Sequence, residues 1–414
     1  MAEKTTRREF LKTTAGAAAT LSALGHVRAA GANERIAIGL IGCGSRMRGS
    51  IMPSINRYAG AENIEITAVC DPWRTAREEA AAMCLDWFGR APRQYSSYKQ
   101  LLDEGEVDAV AIASCDHLHT THLKAAAEAG KDAYCEKPLA KDFEALKAAY
   151  DAVKANGIIV QAGTQVRSFN SMAGARAFFG TGKLGKISRI EQCRNAARPY
   201  WYGYIRDVKE EDVDWAEFLA DRPMRPFNPV TYSGWYGYRE FSDGPTPGLG
   251  SHFIDLVHFI TGAKFPRSAV SMSGTYVWKD EHNFDAPDHV QVMWEYPEDF
   301  LVHYSTNFGN GSGSTFNIFG HKGVMDLQDW SNIYVSGDGA HAPGEIEKER
   351  MRIDDIEGPD HVENWLQCLR SREAPNADIE AGYQHAVACL MAVRASDTGK
   401  RQLYDQESRE IREG

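Results

Sequence analysis

The stretch AGKDAYCEKPLA, Ala129 to Ala140, decides how the fold is read. Asp132 to Cys135 has the character of a short buried strand that runs straight into Glu136-Lys137-Pro138, so a lysine is set at the carboxyl end of a parallel strand. Open α/β sheets bind their ligands in the crevice beyond those ends. Pro138 fixes its own φ and drives Lys137 toward an extended conformation, which aims the side chain instead of carrying it along a helix. Alone, the triplet reads equally as a surface Lys-Pro turn, so its surroundings must decide.

Upstream, Arg35 to Ile41 is an isoleucine-rich run of the kind that forms a buried parallel strand. It ends in Gly42-Cys43-Gly44-Ser45-Arg46-Met47, from which a helix is predicted to Tyr58. Glycines there permit a tight turn and let backbone N–H groups approach a pyrophosphate at a helix start. The third glycine of G-x-G-x-x-G is replaced by Met47. The strand Ile64 to Cys70 closes at Asp71, where a carboxylate can accept hydrogen bonds from the adenosine ribose. That favours NAD, while Arg74 keeps NADP open through a 2'-phosphate.

The alternation continues through helices Arg74 to Trp87 and Ser97 to Glu104, strand Val107 to Ala113, helix Thr120 to Glu128, the deciding strand, helix Phe143 to Asn156 and strand Ile158 to Ala162. Such βαβ repetition predicts a doubly wound parallel sheet over residues 34–162. Residues 163–414 read differently. Strand-like runs at Ile187 to Arg194, Ser268 to Trp278, His289 to Tyr296, Leu301 to Phe308, Thr315 to Phe319, Gly323 to Leu327 and Ile333 to Val335 follow one another across Gly, Asn and Asp turns. They predict an α+β domain with a large, mostly antiparallel sheet, one face over the site and the other available for oligomer contacts. Helices are expected near Asp360 to Arg370 and Ile379 to Asp397.

With 414 residues, 25% charged and a net charge of −11, the chain has room for two cores and lacks the basic footprint of a nucleic-acid binder. Thr6-Arg7-Arg8-Glu9-Phe10-Leu11-Lys12, a weakly apolar run to Leu24 and Val27-Arg28-Ala29 have the form of a Tat leader over residues 1–29. Its apolar part is too short to span a bilayer, so cleavage would leave no membrane segment, and the expected location is the periplasm or beyond. The eight cysteines contain no C-x-x-C pair and read as free thiols. His117, His119 and His122 crowd a strand-to-helix turn, where the change of period keeps their side chains from having to converge; no metal site is expected.

Gly42-Cys43-Gly44, Asp71-Pro72, Ser114-Cys115-Asp116-His117-Leu118-His119 and Glu136-Lys137-Pro138-Leu139, in this order, resemble the Gfo/Idh/MocA family of nicotinamide-dependent sugar oxidoreductases. Gly163-Thr164-Gln165, Lys183-Leu184-Gly185-Lys186-Ile187, Asp214-Trp215 and Arg225-Pro226-Phe227-Asn228-Pro229 resemble its exported, Tat-leader branch. The resemblance implies a Rossmann domain followed by a sheet domain, and oligomers formed through that sheet. With the glycine turn, it implies cofactor contacts from Gly42, Gly44, Ser45, Arg46, Asp71, Ser114, His119, Glu136, Lys137 and Gln165, with His119 beside the nicotinamide.

A second polar cluster is Gly248-Leu249-Gly250-Ser251-His252-Phe253-Ile254-Asp255-Leu256-Val257-His258. On a helix, His252, Asp255 and His258 form one stripe opposite Phe253, Ile254 and Val257, which suits either a cleft wall or a solvated face. Oxidising an alcohol needs a base for the hydroxyl proton, and histidine is the usual group near neutral pH. The resemblance gives that role to His252 and makes Lys137 the group that positions the hydroxyl and stabilises alkoxide charge. Many relatives carry a carboxylate four residues before the histidine. This chain has Gly248, and Asp255 is the nearest substitute.

Substrate contact is expected from Arg167 and Tyr236, with His252 and Asp255. Arg167 lies past the strand Ile158 to Ala162, and Tyr236 belongs to an aromatic segment that includes Tyr200, Trp201, Tyr202, Tyr204, Tyr232, Trp235 and Tyr238. Two activities follow. The first is hydride transfer between a nicotinamide and a hydroxyl of a sugar, cyclitol or glycoside. The alternative is a glycosidase in which transient oxidation by bound NAD acidifies a neighbouring C–H and elimination cleaves the glycosidic bond.

Overall fold

The strand ending at Cys135 lies within a fully parallel sheet. A computed structural model describes residues 34–341 and 344–414, so the leader at 1–29 falls outside the described residues. β1 (Ile36–Ile41), β2 (Ile64–Cys70), β3 (Arg93–Tyr95), β4 (Ala109–Ile112), β5 (Asp132–Cys135) and β6 (Val160–Ala162) take the order β3-β2-β1-β4-β5-β6. Helices cover both faces, which is why β1 and β4 bury Ile38, Leu40, Ile41, Val110 and Ile112 without alternation. The strand order reverses between β1 and β4. The turn after β1 and Ser114 after β4 therefore flank the crevice, with Lys137 one strand further along.

Two local features differ from the sequence reading. β3 was not expected, because its three residues expose Arg93 and Gln94 and carry no apolar signal. The first helix opens with a π-turn, Met47–Ile51, before the α-helix Met52–Ala59. Pro53 stands at its start, where a missing N–H costs least.

β7 (Ile187–Asn195), β8 (Ser268–Gly274), β9 (His289–Tyr296), β10 (Phe300–Asn307), β11 (Thr315–Gly320), β12 (Gly323–Asp326), β13 (Tyr334–Ser336), β14 (Met351–Arg352), β15 (Gln402–Asp405) and β16 (Glu410–Glu413) form a ten-stranded sheet. Sequential strands pair antiparallel as expected, but β7 lies parallel to β10 and makes the sheet mixed. The hairpin β15–β16 was also missed, since two four-residue strands rich in charge give no alternation to read. Helices Gly250–Thr261 and Ile379–Thr398 cover one face. The other leaves Val270, Met272, Met293 and Leu301 exposed.

The two units share one core: Val110, Ile112, Cys135 and Leu139 are continuous with Phe253, Trp294 and Met391. Val362, Trp365 and Leu366 of the helix His361–Ser371 return to pack under β1 and β2. Each such side chain contributes roughly 1.5–3 kcal/mol when fully buried, so the seam holds the end of β5 firmly against the start of the helix Gly250–Thr261. All eight cysteines are free thiols, and six are buried.

Candidate active site

Two cavities meet beyond the ends of β1, β4 and β5. The first, about 470 Å³, is lined by Gly42, Gly44, Ser45, Arg46, Asp71 and Ser114 on the Rossmann side. Gly42 has φ 87°, and a Cβ there would fall 2.5 Å from the Ser114 nitrogen, so the turn admits only glycine. A Cβ on Gly44 would meet nothing within 4 Å, and the backbone there faces open cavity. Asp71 accepts hydrogen bonds from the Cys43 N–H at 2.7 Å and the Trp73 N–H at 2.8 Å, which fixes its carboxylate at the cavity wall. Burial pushes its pKa up against those bonds. An extended space with a glycine floor and a carboxylate at one end fits a dinucleotide. Arg74 does not line it; the side chain is paired with Asp212.

The second cavity, about 460 Å³, is lined by Lys137, Arg194, Arg198, Tyr200, Gly248 and Trp330, among others. Tyr204 and Tyr236 line both cavities and form the boundary between them. Lys137 precedes a cis bond to Pro138 and donates from Nζ to the Gly248 carbonyl at 2.7 Å, which leaves two ammonium protons for a ligand. Burial lowers its pKa, while Glu136 and Asp116 support the charge. Glu136 is itself held at 2.7 Å by Arg46 Nε. Burial alone would raise that carboxyl, but Arg46 and Lys137 outweigh it and hold it below its usual range. Asp116, which receives the Ser242 hydroxyl at 2.7 Å, is pushed up to about 7 by burial.

His252 is half-buried and lines neither cavity; it lies 6.1 Å from the Trp330 ring, which lines the second one, with Nδ1 buried and unpartnered among the described residues. Burial, then the nearby charges of Lys137 and Arg46, drive its pKa well down, so it stands as the neutral imidazole. Opposite it, the space that a side chain at Gly248 would take is filled by a phenol: a Cβ there would meet Tyr200 Oη at 2.5 Å. That hydroxyl is buried without a partner among the described residues. Burial raises its pKa, so it remains an O–H donor.

Several predicted residues lie elsewhere. Asp255 does not face the cavity. Arg167 Nε and Nη2 donate to its two oxygens at 2.8 and 2.7 Å, with Arg167 8% and Asp255 1% exposed, so the pair is a sealed internal ion pair. Neither faces the cavity, because beyond the half-buried His252 the polar stripe of the helix Gly250–Thr261 is covered as well. His258 on the same stripe is buried against the Tyr296 hydroxyl at 2.8 Å. His119 lies behind the cavity, its ring bridging the Pro138 and Ser114 carbonyls at 2.8 and 3.0 Å. It braces the two loops that carry Lys137 and Ser114. Gln165 is half-buried with its Oε1 unpartnered among the described residues, and it lines neither cavity. His117 is buried between Phe218 and Phe241. No group of His, Cys, Asp or Glu among the described residues is arranged to hold a metal.

Of the aromatic segment, Tyr200, Tyr204 and Tyr236 reach the second cavity, whereas Trp201 and Tyr202 pack with Phe284 and Phe308. Arg194, Arg198 and Trp330 were missed. A signal existed for the first: Ile190, Gln192 and Arg194 share one face of β7, buried at Ile190 and Gln192 and opening to the cavity at Arg194.

The profile of an oxidoreductase family with an NAD-binding Rossmann fold matches residues 36–164, and that of its C-terminal alpha/beta domain matches 218–403. This chain belongs to the Gfo/Idh/MocA family. Its Rossmann domain binds NAD. The inositol 2-dehydrogenase/D-chiro-inositol 3-dehydrogenase of Shouchella clausii is 31% identical over 89% of this chain and 94% of its own length. The levoglucosan dehydrogenase of Pseudarthrobacter phenanthrenivorans is 38% identical, over 45% of this chain and 41% of its own. A solved levoglucosan dehydrogenase in complex with NADH superposes with a TM-score of 0.65 at 18% identity, covering 89% of this chain and 98% of that one.

Proposed function

We propose that this oxidoreductase oxidises a hydroxyl of a sugar, cyclitol or glycoside, with NAD as hydride acceptor. The observation that carries the reading is the position of Lys137. Its ammonium lines the second cavity next to the Gly248 carbonyl, one tyrosine boundary away from the nucleotide cavity. Two relatives act on polyols by name, an inositol and levoglucosan.

Bound in the first cavity, NAD would supply the hydride acceptor for the carbinol carbon. His252, held neutral, takes the hydroxyl proton, and Lys137 donates to the oxygen as its negative charge grows. Tyr200 stands where many relatives have a carboxylate, and the exchange changes chemistry: a carboxylate accepts hydrogen bonds, whereas a protonated phenol donates one. His252 is then the sole base, and Tyr200 orients the substrate. Tyr236 supplies a ring at the boundary against which a sugar face can stack. Arg74, occupied by Asp212, offers no free partner for a 2'-phosphate, which supports NAD over NADP.

Incubation with free sugars, cyclitols and aryl glycosides, following NADH absorbance and released aglycone together, tests this. Net NADH from a free polyol is the expected result. Aglycone release without net NADH would replace it with the transient-oxidation glycosidase, a reading that the missing carboxylate at Gly248 keeps specific. Neither signal would overturn both.

Two further parts of the reading concern the molecule's setting. The twin arginines Arg7 and Arg8 support Tat export, and Arg7→Lys with Arg8→Lys should retain the protein inside the cell. The open face bearing Met272, 76% exposed, and Met293 supports a homo-oligomer, which Met272→Lys should weaken in light scattering.

A further inference from the structure

The second cavity is more positive than alcohol oxidation requires. The chain as a whole is acidic, with 57 Asp and Glu against 46 Lys and Arg, yet the residues around this cavity include Lys137, Arg194 and Arg198 and no carboxylate. Several arginines elsewhere are matched by carboxylates: Arg46 by Glu136, Arg167 by Asp255, Arg225 by Glu240 and Arg239 by Asp397.

Arg194 and Arg198 are held differently. The Arg194 guanidinium lies 5.3 Å from the Trp330 ring centre. That of Arg198 lies 4.4 Å from Tyr202 and 5.7 Å from Trp278. Neither side chain makes a hydrogen bond or ion pair within the described residues. A guanidinium near an aromatic ring gains a cation–π attraction, while its N–H edge can still meet an oxyanion in a two-point contact. Both side chains are exposed, so their N–H edges are met by solvent and remain available to a ligand. Their charge also has a cost: Arg194 adds to the positive field that lowers the pKa values of Lys137 and His252. Arg194 and Arg198 add positive charge to a cavity with no carboxylate among its lining residues, and an anion bound there would offset it.

We propose that the substrate is an acidic sugar, its oxyanion gripped by Arg194 and Arg198 while the reacting hydroxyl lies at Lys137. The position of the hydroxyl rests on the oxidation reading above; the anion grip stands on the arginines alone. The oxyanion can be a carboxylate, a sulfate ester or a phosphate ester, and Gln192, Asn195 and Ser314 line the same cavity as neutral donors.

Calorimetric titration of the NAD-saturated protein with matched probes tests this: glucose against glucuronate, glucose 6-sulfate and glucose 6-phosphate, and galactose against galacturonate. At least one charged probe should bind about tenfold tighter or better than its neutral partner, the range of a charge-assisted hydrogen bond. The preference should shrink with added salt. It should vanish in Arg194→Gln/Arg198→Gln, with NAD affinity and melting temperature unchanged. Which probe wins identifies the oxyanion. Charged probes that bind no tighter than neutral ones, or a preference that survives the double substitution, would overturn the proposal. Tight, arginine-dependent binding of an acid without NADH formation would leave the anion site standing and remove the oxidation reading. Equal oxidation of neutral and acidic sugars would do the reverse.

Discussion

The two cavities are made in different ways. The nucleotide cavity is largely a backbone object: a glycine turn with no room for a Cβ at Gly42 and no atom beyond Gly44, closed by a carboxylate at the next strand end. The second cavity is a side-chain object, assembled from Lys137, the row Gln192 to Tyr200, Gly248 and Trp330, which only the shared core brings together. The contrast teaches that a site made by chain geometry is compact in sequence, whereas one made by converging side chains is spread over nearly 200 residues. It also means that the two should fail independently.

That independence can be broken, and the largest effect should come from His252→Asn. Loss of a general base costs about 10²–10⁴ in kcat, while NAD affinity should stay unchanged in a titration. A fall in NAD affinity of the same size would merge the two cavities into one unit. Asp255→Ala comes next and asks whether the sealed ion pair belongs to the site at all. Stranding Arg167 without its partner should cost about 3–5 kcal/mol in urea unfolding, with kcat per folded molecule within about twofold of the parent. Lost turnover at intact stability would return Asp255 to catalysis.

Acid should weaken the seam between the cavities. Burial pushes His122 and His258 down to about 3 and His361 and His385 down to about 4. In the unfolded chain each titrates near 6.5, so below that pH the unfolded state binds protons that the fold refuses, and stability falls as pH drops. From pH 7.5 to 5.5 each imidazole costs about 1.4 kcal/mol. Asp116, raised to about 7, acts in the opposite sense, because the fold takes up its proton first and gains about 2 kcal/mol over that range. These five groups alone give a net loss of roughly 3–4 kcal/mol in unfolding titrations at the two pH values, and His117 and His252, depressed by burial in the same way, should deepen it. A flat or rising curve would mean that these rings are solvated. The smallest effect is expected from Gly248→Ala. Its methyl would press on Tyr200 Oη, costing about 1–3 kcal/mol of overpacking and lowering kcat/KM about tenfold, again with NAD binding intact. Unchanged kcat/KM would show that Tyr200 does not orient the substrate.

Much of the fold was legible in the sequence because β1, β2, β4 and β5 are short, mostly apolar runs, and β1, β2 and β5 run into Gly42, Asp71 and Glu136-Lys137. The ten-stranded sheet was legible as strands, but the parallel pairing of β7 with β10 was not, since no local pattern encodes partners more than 100 residues apart. At the site, Lys137 and the glycine turn could be found by their place at strand ends. Asp255 misled because a polar stripe on a helix looks the same whether it faces a cleft or a buried arginine. Arg167 supplies that burial from a separate element. Tyr200 could be seen only as one ring among many, because its contact with Gly248 depends on how the seam closes.

The central claim is that Lys137 acts on the substrate and is not needed to hold the nucleotide. Single-turnover NADH formation by NAD-saturated Lys137→Met, with the polyol that the parent protein oxidises best, tests it most directly. The account predicts NAD binding within about twofold of the parent and hydride transfer slowed by about 10² or more. Hydride transfer at the parent rate, or protein that no longer binds NAD, would contradict it.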